Sequence, residues 1–315
     1  MKAAAEQSQL ERKHFAIVGA GALGSYYGAR LAQAGERVSF LLRSDYEVVA
    51  REGLRIESVA GDFTLPSVEA ARQTEEIGPV DIVLVCWKAT ANAHYEETIR
   101  PLVGPQTLIV TLQNGLGNVE ELQRLFGADR VLGGLCFVCL NRLEAGLISH
   151  TAGGRIALGE PGGGTSARLE NLVARLKRAR IPALSVENLG EAQWRKLVWN
   201  VPFNGLTITE GGIGTAELLG RPGGEQRARE LMAEVIAGAA ALGFVIEKDF
   251  IEAQIALTRD MGDYRPSSMI DYVEGRAVEI EAIWGEPLKR AQAAGAELPA
   301  WTRLLTEIKA AEEAR

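Results

Sequence analysis

The chain is poor in cysteine, histidine and aromatic side chains, and each shortage removes a class of function. Among 315 residues the only cysteines are Cys86, Cys136 and Cys139, too few for a disulfide framework or a four-ligand zinc site. Cys136-x-x-Cys139 has the spacing of a redox pair. It lies, however, in an apolar, strand-like run, away from any helix N-terminus that would lower a thiol pKa, so reduced and buried thiols are expected. His14, His94 and His150 are scattered, no metal-ligand spacing emerges, and no metal site is predicted. Aromatic residues make up 6% of the chain and the net charge is −7. Together they argue against a nucleic-acid partner, which needs stacking platforms or a basic face. No apolar run approaches the length of a membrane span, and Met1 to Lys13 is polar without an apolar core. The expectation is a cytoplasmic protein with no membrane partner.

What is present is ordinary for a globular chain, 47% hydrophobic and 24% charged, and its length suggests two domains. The first half alternates short β-branched or apolar runs (Phe15–Val18, Val38–Leu42, Val80–Trp87, Leu108–Leu112) with helical patterns such as Asn118–Phe126 and Leu169–Leu176. That alternation predicts a doubly wound parallel sheet. Gly53 to Pro66 reads as a small extended excursion, Val131–Leu140 and Ile156–Gly159 as further strands, and Gly153-Gly154 and Gly162-Gly163-Gly164 as turns. After about Asn188 the apolar residues fall at helical spacing, with Gly243 and Gly295 as stops and Pro287 at a helix start. The predicted fold class is therefore α/β: an N-terminal Rossmann-type sheet over residues 14–188, an all-α domain over 189–315, and a flexible tail over 1–13.

The most informative stretch passes from the strand Phe15–Val18 into Gly19-Ala20-Gly21-Ala22-Leu23-Gly24 and a helical pattern. This is the dinucleotide fingerprint in its required context. Gly19 serves the turn, Gly21 the close approach of a pyrophosphate, and Gly24 the packing of the helix, whose N-terminal N–H groups, from Ala22 and Leu23 onward, face the ligand. Arg43-Ser44 follows the second strand, where NAD enzymes carry an acid for the ribose hydroxyls. A guanidinium and a hydroxyl there suit a 2′-phosphate, so NADPH is favoured, although Asp45 lies one residue further on. Lys88 and Gln113-Asn114-Gly115 follow later strands and belong at the nicotinamide end.

In Glu191–Leu206, the apolar face of Trp194, Leu197, Val198 and Val201 is accompanied by a stripe of Lys196, Asn200 and Asn204. A solvated stripe would favour strong helix formers, and two asparagines point instead to a binding surface. Pro202 is expected to kink this helix. Downstream, Ser267-Ser268 offers donors at a helix start, or a simple N-cap, and of Glu279 and Glu281 one should be buried and one solvated.

These pieces together resemble the ketopantoate reductase family, the 2-dehydropantoate 2-reductases, from Phe15 to the last helix. The resemblance implies an NADPH-dependent reduction of a 2-oxo acid, most simply 2-dehydropantoate to pantoate, as in pantothenate biosynthesis. Lys196 would be the general acid and Glu279 its assistant. Asn200, Asn204 and Ser268 would hold the substrate, with Lys88 and Asn114 at the nicotinamide end. The net direction of the Lys196 pKa stays open, since burial lowers it and Glu279 raises it. The chain departs from the family pattern at Gly214 and Arg265, and by one residue fewer between Ser268 and Glu279. Another branched 2-oxo acid therefore stays open as substrate. Of the rival readings, a β-hydroxyacid dehydrogenase lacks support because Glu191-Ala192-Gln193-Trp194-Arg195, and no glycine-rich run, leads into Lys196, and a non-catalytic NADP-binding sensor is opposed by the presence of Lys196 and Glu279. The apolar helix faces leave a homodimer open.

Overall fold

A computed structural model describes residues 11–315. Residues 1–10 of the expected tail lie outside the described residues, while Lys13 is tied down through its backbone N–H to Glu36 at 2.7 Å and its ammonium to Asp81 at 3.1 Å.

Among the described residues ten strands form one sheet: β1 (His14–Val18), β2 (Arg37–Leu41), β3 (Leu54–Ser58), β4 (Phe63–Leu65), β5 (Glu69–Ala71), β6 (Val80–Val85), β7 (Val103–Thr111), β8 (Val131–Glu144), β9 (Leu147–Gly159) and β10 (Ala183–Val186). Their order is β4-β3-β9-β8-β7-β6-β1-β2-β5, with β10 also pairing to β9. Pairings from β5 through β8 are parallel, and those of β3 with β4 and β8 with β9 are antiparallel. The centre is thus the expected doubly wound sheet, extended by an antiparallel ribbon. β1 is buried on both faces: Phe15 and Ile17 pack with Tyr27 and Phe40, Ala16 and Val18 with Val83 and Tyr95. Burial on both faces explains its unbroken apolar sequence.

One expected turn is not a turn. Gly153-Gly154 lies inside β9, where the pairing slips between Phe137 and Val138, and the chain reverses instead at Gly146. Positive φ at Gly153 (74°) and Gly154 (114°) lets the ribbon bulge at that point, which is the other use of paired glycines in an apolar run.

The helices of the first half are α1 (Ala22–Gln33), α2 (Tyr46–Glu52), α3 (Tyr95–Ile99), α4 (Asn118–Phe126) and α5 (Ala167–Arg178). The second half holds α6 (Leu189–Thr209), α7 (Thr215–Gly220), α8 (Gly224–Ala241), α9 (Phe250–Asp260), α10 (Ser267–Val273), α11 (Glu286–Ala293) and α12 (Pro299–Glu313). Asn188 caps α6 by accepting from Glu191 N–H at 3.0 Å. The helix then runs through Pro202 as one element, with Asn200 to Ile208 buried on every side. Trp194, Val198, Val201 and Phe203 anchor a helical core with Met232, Trp284 and Trp301, separate from the two cores flanking the sheet. Among the described residues no helix is long and apolar enough to cross a membrane.

Candidate active site

The glycine loop is built by backbone geometry. Gly19 has φ +94°, and a Cβ there would lie 2.3 Å from the Trp87 backbone nitrogen, so only glycine fits. Gly24 packs α1 onto β1, since a Cβ would meet the Gly19 carbonyl at 2.4 Å and Ile17 at 2.8 Å. Gly21 differs: nothing lies within 4 Å of where its Cβ would stand. It is the N-cap of α1, supplies no side-chain capping bond, and is followed by no acid in the first turn. Half-buried Ala22 and Leu23 begin that turn. The result is a helix N-terminus without a side-chain cap and with open space beside Gly21, a fit for a diphosphate. Arg43 stands exposed at the end of β2 and has no carboxylate partner among the described residues. Asp45 is buried, and its carboxylate accepts from Arg142 at 2.7 Å and from the Ser44 hydroxyl at 2.8 Å.

A second group forms where the end of β7 meets α6. Lys196 Nζ donates to Asn114 Oδ1 at 2.7 Å, across 82 residues of sequence. The residue is half-buried, and removal of its ammonium from water pulls the pKa below the usual lysine range, against the raising effects of Cys136 and Glu279. Burial therefore decides the direction that the sequence left open. Asn114 is fixed in turn, because Asn118 Nδ2 donates to its carbonyl at 2.9 Å. Gln113 beside it accepts from the Tyr95 hydroxyl at 2.5 Å and donates to Asn92 at 2.8 Å. Gly115 docks this loop onto the helices: its φ is +78°, Leu116 N–H donates to the Ala282 carbonyl at 2.9 Å, and a Cβ on Gly115 would stand 2.0 Å from that oxygen. The chain bends at Asn114-Gly115, and the second domain requires that bend. Asn200 lies one helical turn beyond Lys196, and with Asn114, Gly134 and Gln193 the two line a small cleft.

Asn204, one turn further, is buried and committed. Its Oδ1 accepts from Ser268 N–H at 3.1 Å and its Nδ2 donates to the Asn200 carbonyl at 3.2 Å. The N-cap of α10 is Pro266, which has no capping side chain, so Ser267 and Ser268 are not N-caps. Asn204 satisfies that helix start from α6 instead, and Ser268 is held 1% exposed at its first turn.

Glu279 and Lys88 complete the cluster. Glu279 Oε1 accepts from Ala89 N–H at 2.7 Å, across 190 residues. Burial pushes its pKa above the ordinary carboxylate range, opposed by that hydrogen bond and by Lys88 and Lys196. Lys88 pairs with Asp271 of α10, which also takes Arg276 Nε at 2.9 Å. Glu281 points away, 74% exposed and paired with Lys309 at 2.9 Å, so the expected split between the two glutamates is present.

Two contributors escaped the sequence reading. Asp271 sits one turn after Ser268 on α10, a spacing that could have revealed it. Phe137 of β8 carries no such signal: its ring lies 5.6 Å from Lys196 Nζ and 4.7 Å from the Arg155 guanidinium. Cys136 beside it is a free thiol, pushed up to about 11 by burial, with Lys196 opposing. At the departures from the family pattern, Gly214 is crowded by the Asp263 carboxylate, 2.0 Å from where a Cβ would be, and Arg265 is exposed. A wider concavity bounded by Gln292, Glu297 and Arg303 contains none of these groups. Among the described residues no group of three or more His, Cys, Asp or Glu could hold a metal.

The chain is similar to known proteins along most of its length. The family model described as ketopantoate reductase PanE/ApbA matches residues 15–163, and its C-terminal counterpart matches 188–312. A 2-dehydropantoate 2-reductase of Nostoc sp. is 41% identical over 95% of both chains. The crystal structure of a 2-dehydropantoate 2-reductase from Geobacter metallireducens is 47% identical, with a TM-score of 0.92 over 95% of this chain and 99% of that one. A structure of D-mandelate dehydrogenase with NADH is 21% identical with a TM-score of 0.88 over 96% and 98% of the two chains, a likeness of fold alone.

Proposed function

The chain belongs to the ketopantoate reductase family, and we propose that it reduces a branched 2-oxo acid, 2-dehydropantoate first among them, with NADPH. It is an oxidoreductase acting on CH–OH groups, as its relatives are. The observation that carries the reading is the half-buried Lys196 ammonium, donating at 2.7 Å to Asn114 at the sheet's carboxyl edge. Ligands of open α/β sheets bind at that edge.

Bound in this site, the nicotinamide would supply a hydride to C2 of the acid. Gly19 to Gly24 with Ala22 and Leu23 would hold the diphosphate, Arg43 the 2′-phosphate, and Lys88 and Asn114 the nicotinamide end. Lys196 keeps one N–H on Asn114 and presents another to the 2-oxo oxygen, stabilising the charge that develops there and transferring its proton. A pKa lowered by burial makes that transfer easier near neutrality. Glu279 limits the depression and holds Ala89 next to Lys88. Asn200 and Ser268 receive the acid's carboxylate and hydroxyl, and Asn204 fixes Ser268 relative to α6. The residues thus divide between a nucleotide domain over 14–188 and a substrate domain over 189–315, with the cleft between them.

The test is steady-state oxidation of NADPH and NADH against a panel of 2-oxo acids, with Lys196→Ala beside the wild type. Preference for NADPH with a branched acid is expected, and the variant should lose roughly 10³ in kcat while its NADP+ affinity, read by calorimetry, stays the same. No turnover across the panel favours a non-catalytic nucleotide sensor, and full turnover in Lys196→Ala removes lysine from the mechanism.

A further inference from the structure

We propose that Arg142 sets the nucleotide preference of this protein by masking Asp45. The inference rests on the reading of Arg43 as the 2′-phosphate ligand. Asp45 is the acid nearest the end of β2, where enzymes specific for NAD place a carboxylate against the ribose hydroxyls. It is not free to act in that way. Its side chain is 10% exposed, and Oδ1 is shared by Arg142 Nη1 at 2.7 Å and Ser44 Oγ at 2.8 Å. It also occupies the N-cap position of α2 without making a capping bond, so the carboxylate is committed to the guanidinium and not to its own helix.

Arg142 comes from far away in sequence. It lies near the end of β8, on the ribbon that curls back over α1, and the reversal after it is seated on α2. A Cβ on Gly146 would rest 3.7 Å from Val49 and 3.8 Å from Val48, and Gly146 carbonyl accepts from Arg55 N–H at 2.8 Å. The ribbon therefore delivers one positive charge to the turn Arg43-Ser44-Asp45. Two consequences follow from elementary electrostatics. Asp45 no longer repels a phosphate beside Arg43, and Arg43 is left without a carboxylate partner two residues away. Removing Arg142 reverses both, exposing an acid suited to a ribose diol and giving Arg43 a competing partner. Arg142 is thus a specificity-determining residue that acts through Asp45.

The experiment measures Kd for NADP+ and NAD+ by calorimetry on the full chain, for the wild type and for Arg142→Met, Asp45→Asn and the double variant. Arg142→Met keeps the aliphatic stem and is expected to lower the ratio of NADP+ to NAD+ affinity roughly tenfold. Adding Asp45→Asn should restore the wild-type ratio to within about twofold. Asp45→Asn alone should preserve or raise it, which keeps the test open even if Arg142→Met folds poorly. An unchanged ratio in Arg142→Met overturns the proposal, as does a lowered ratio that Asp45→Asn fails to restore, since Arg142 would then act directly on the ligand. Equal affinity of the wild type for both nucleotides would instead overturn the reading of Arg43.

Discussion

The proposed nucleotide loop and the proposed substrate cluster sit at the same edge of one sheet but are built by opposite means. Gly19 to Gly24 works through its backbone: a positive φ, a helix packed close on a strand, and an uncapped N-terminus, all within six residues. The cluster works through side chains supplied by α6, α10 and the segments after β6, after β7 and before α11, joined by contacts spanning 82 and 190 residues. A local backbone device can be read from residue order alone. A convergent one exists only when two domains are docked, and so depends on the residues that do the docking.

Gly115 is the sharpest way to break that comparison, and carries the largest expected effect. Gly115→Ala places a Cβ against the Ala282 carbonyl and forces a left-handed φ on a residue with a side chain. The two penalties sum to about 4 kcal/mol, to be seen as a lowered urea midpoint. Activity should fall with it, while NADP+ affinity of the folded fraction stays near wild type. Loss of nucleotide binding in step with activity would mean that the two sites are one cooperative device.

Glu279→Gln sharpens the substrate side. In the proposed reaction Lys196 must be protonated, so kcat/KM is expected to fall as pH rises through the lysine pKa, already lowered by burial. Glu279 is one of the charges that raise it. Neutralising it lets the pKa drop further, and the alkaline limb of the pH–rate profile should move to lower pH. A limb that stays in place, or moves up, contradicts the assigned pair. Glu281→Gln, two residues on, removes an exposed ion pair with Lys309 and should change stability by less than about 0.5 kcal/mol and leave the pH profile unmoved.

Much of the fold was legible because the relevant forces are local. Helix α4 spans Asn118–Phe126, as its spacing indicates, and Gly243 and Gly295 stand just beyond helix ends with positive φ. Gly153-Gly154 was misread because paired glycines permit either a turn or a bulge, and only the pairing of β8 with β9 selects between them. The stripe of Lys196, Asn200 and Asn204 was visible as a stripe, but its division of labour was not. Asn204 spends its amide on Ser268, whereas Lys196 turns to Asn114. Asp271 offered only its spacing from Ser268, and Phe137 and Arg142 offered nothing, since a residue in a strand has no distinguishing context until its partner is known.

The sequence by itself determined the dinucleotide loop, the absence of an acid directly after β2, and the change from sheet to helices near Asn188. Each follows from glycine's access to positive φ or from the period of apolar residues along one segment. The tertiary structure decided what these parts meet. It buried Lys196 beyond the help of Cys136 and Glu279, so that its pKa falls, sent Glu279 inward and Glu281 outward, and brought Arg142 across α1 to Asp45. Burial and charge pairing depend on distances between segments far apart in the chain, and those distances are set only when the sheet, the ribbon and the helices have packed.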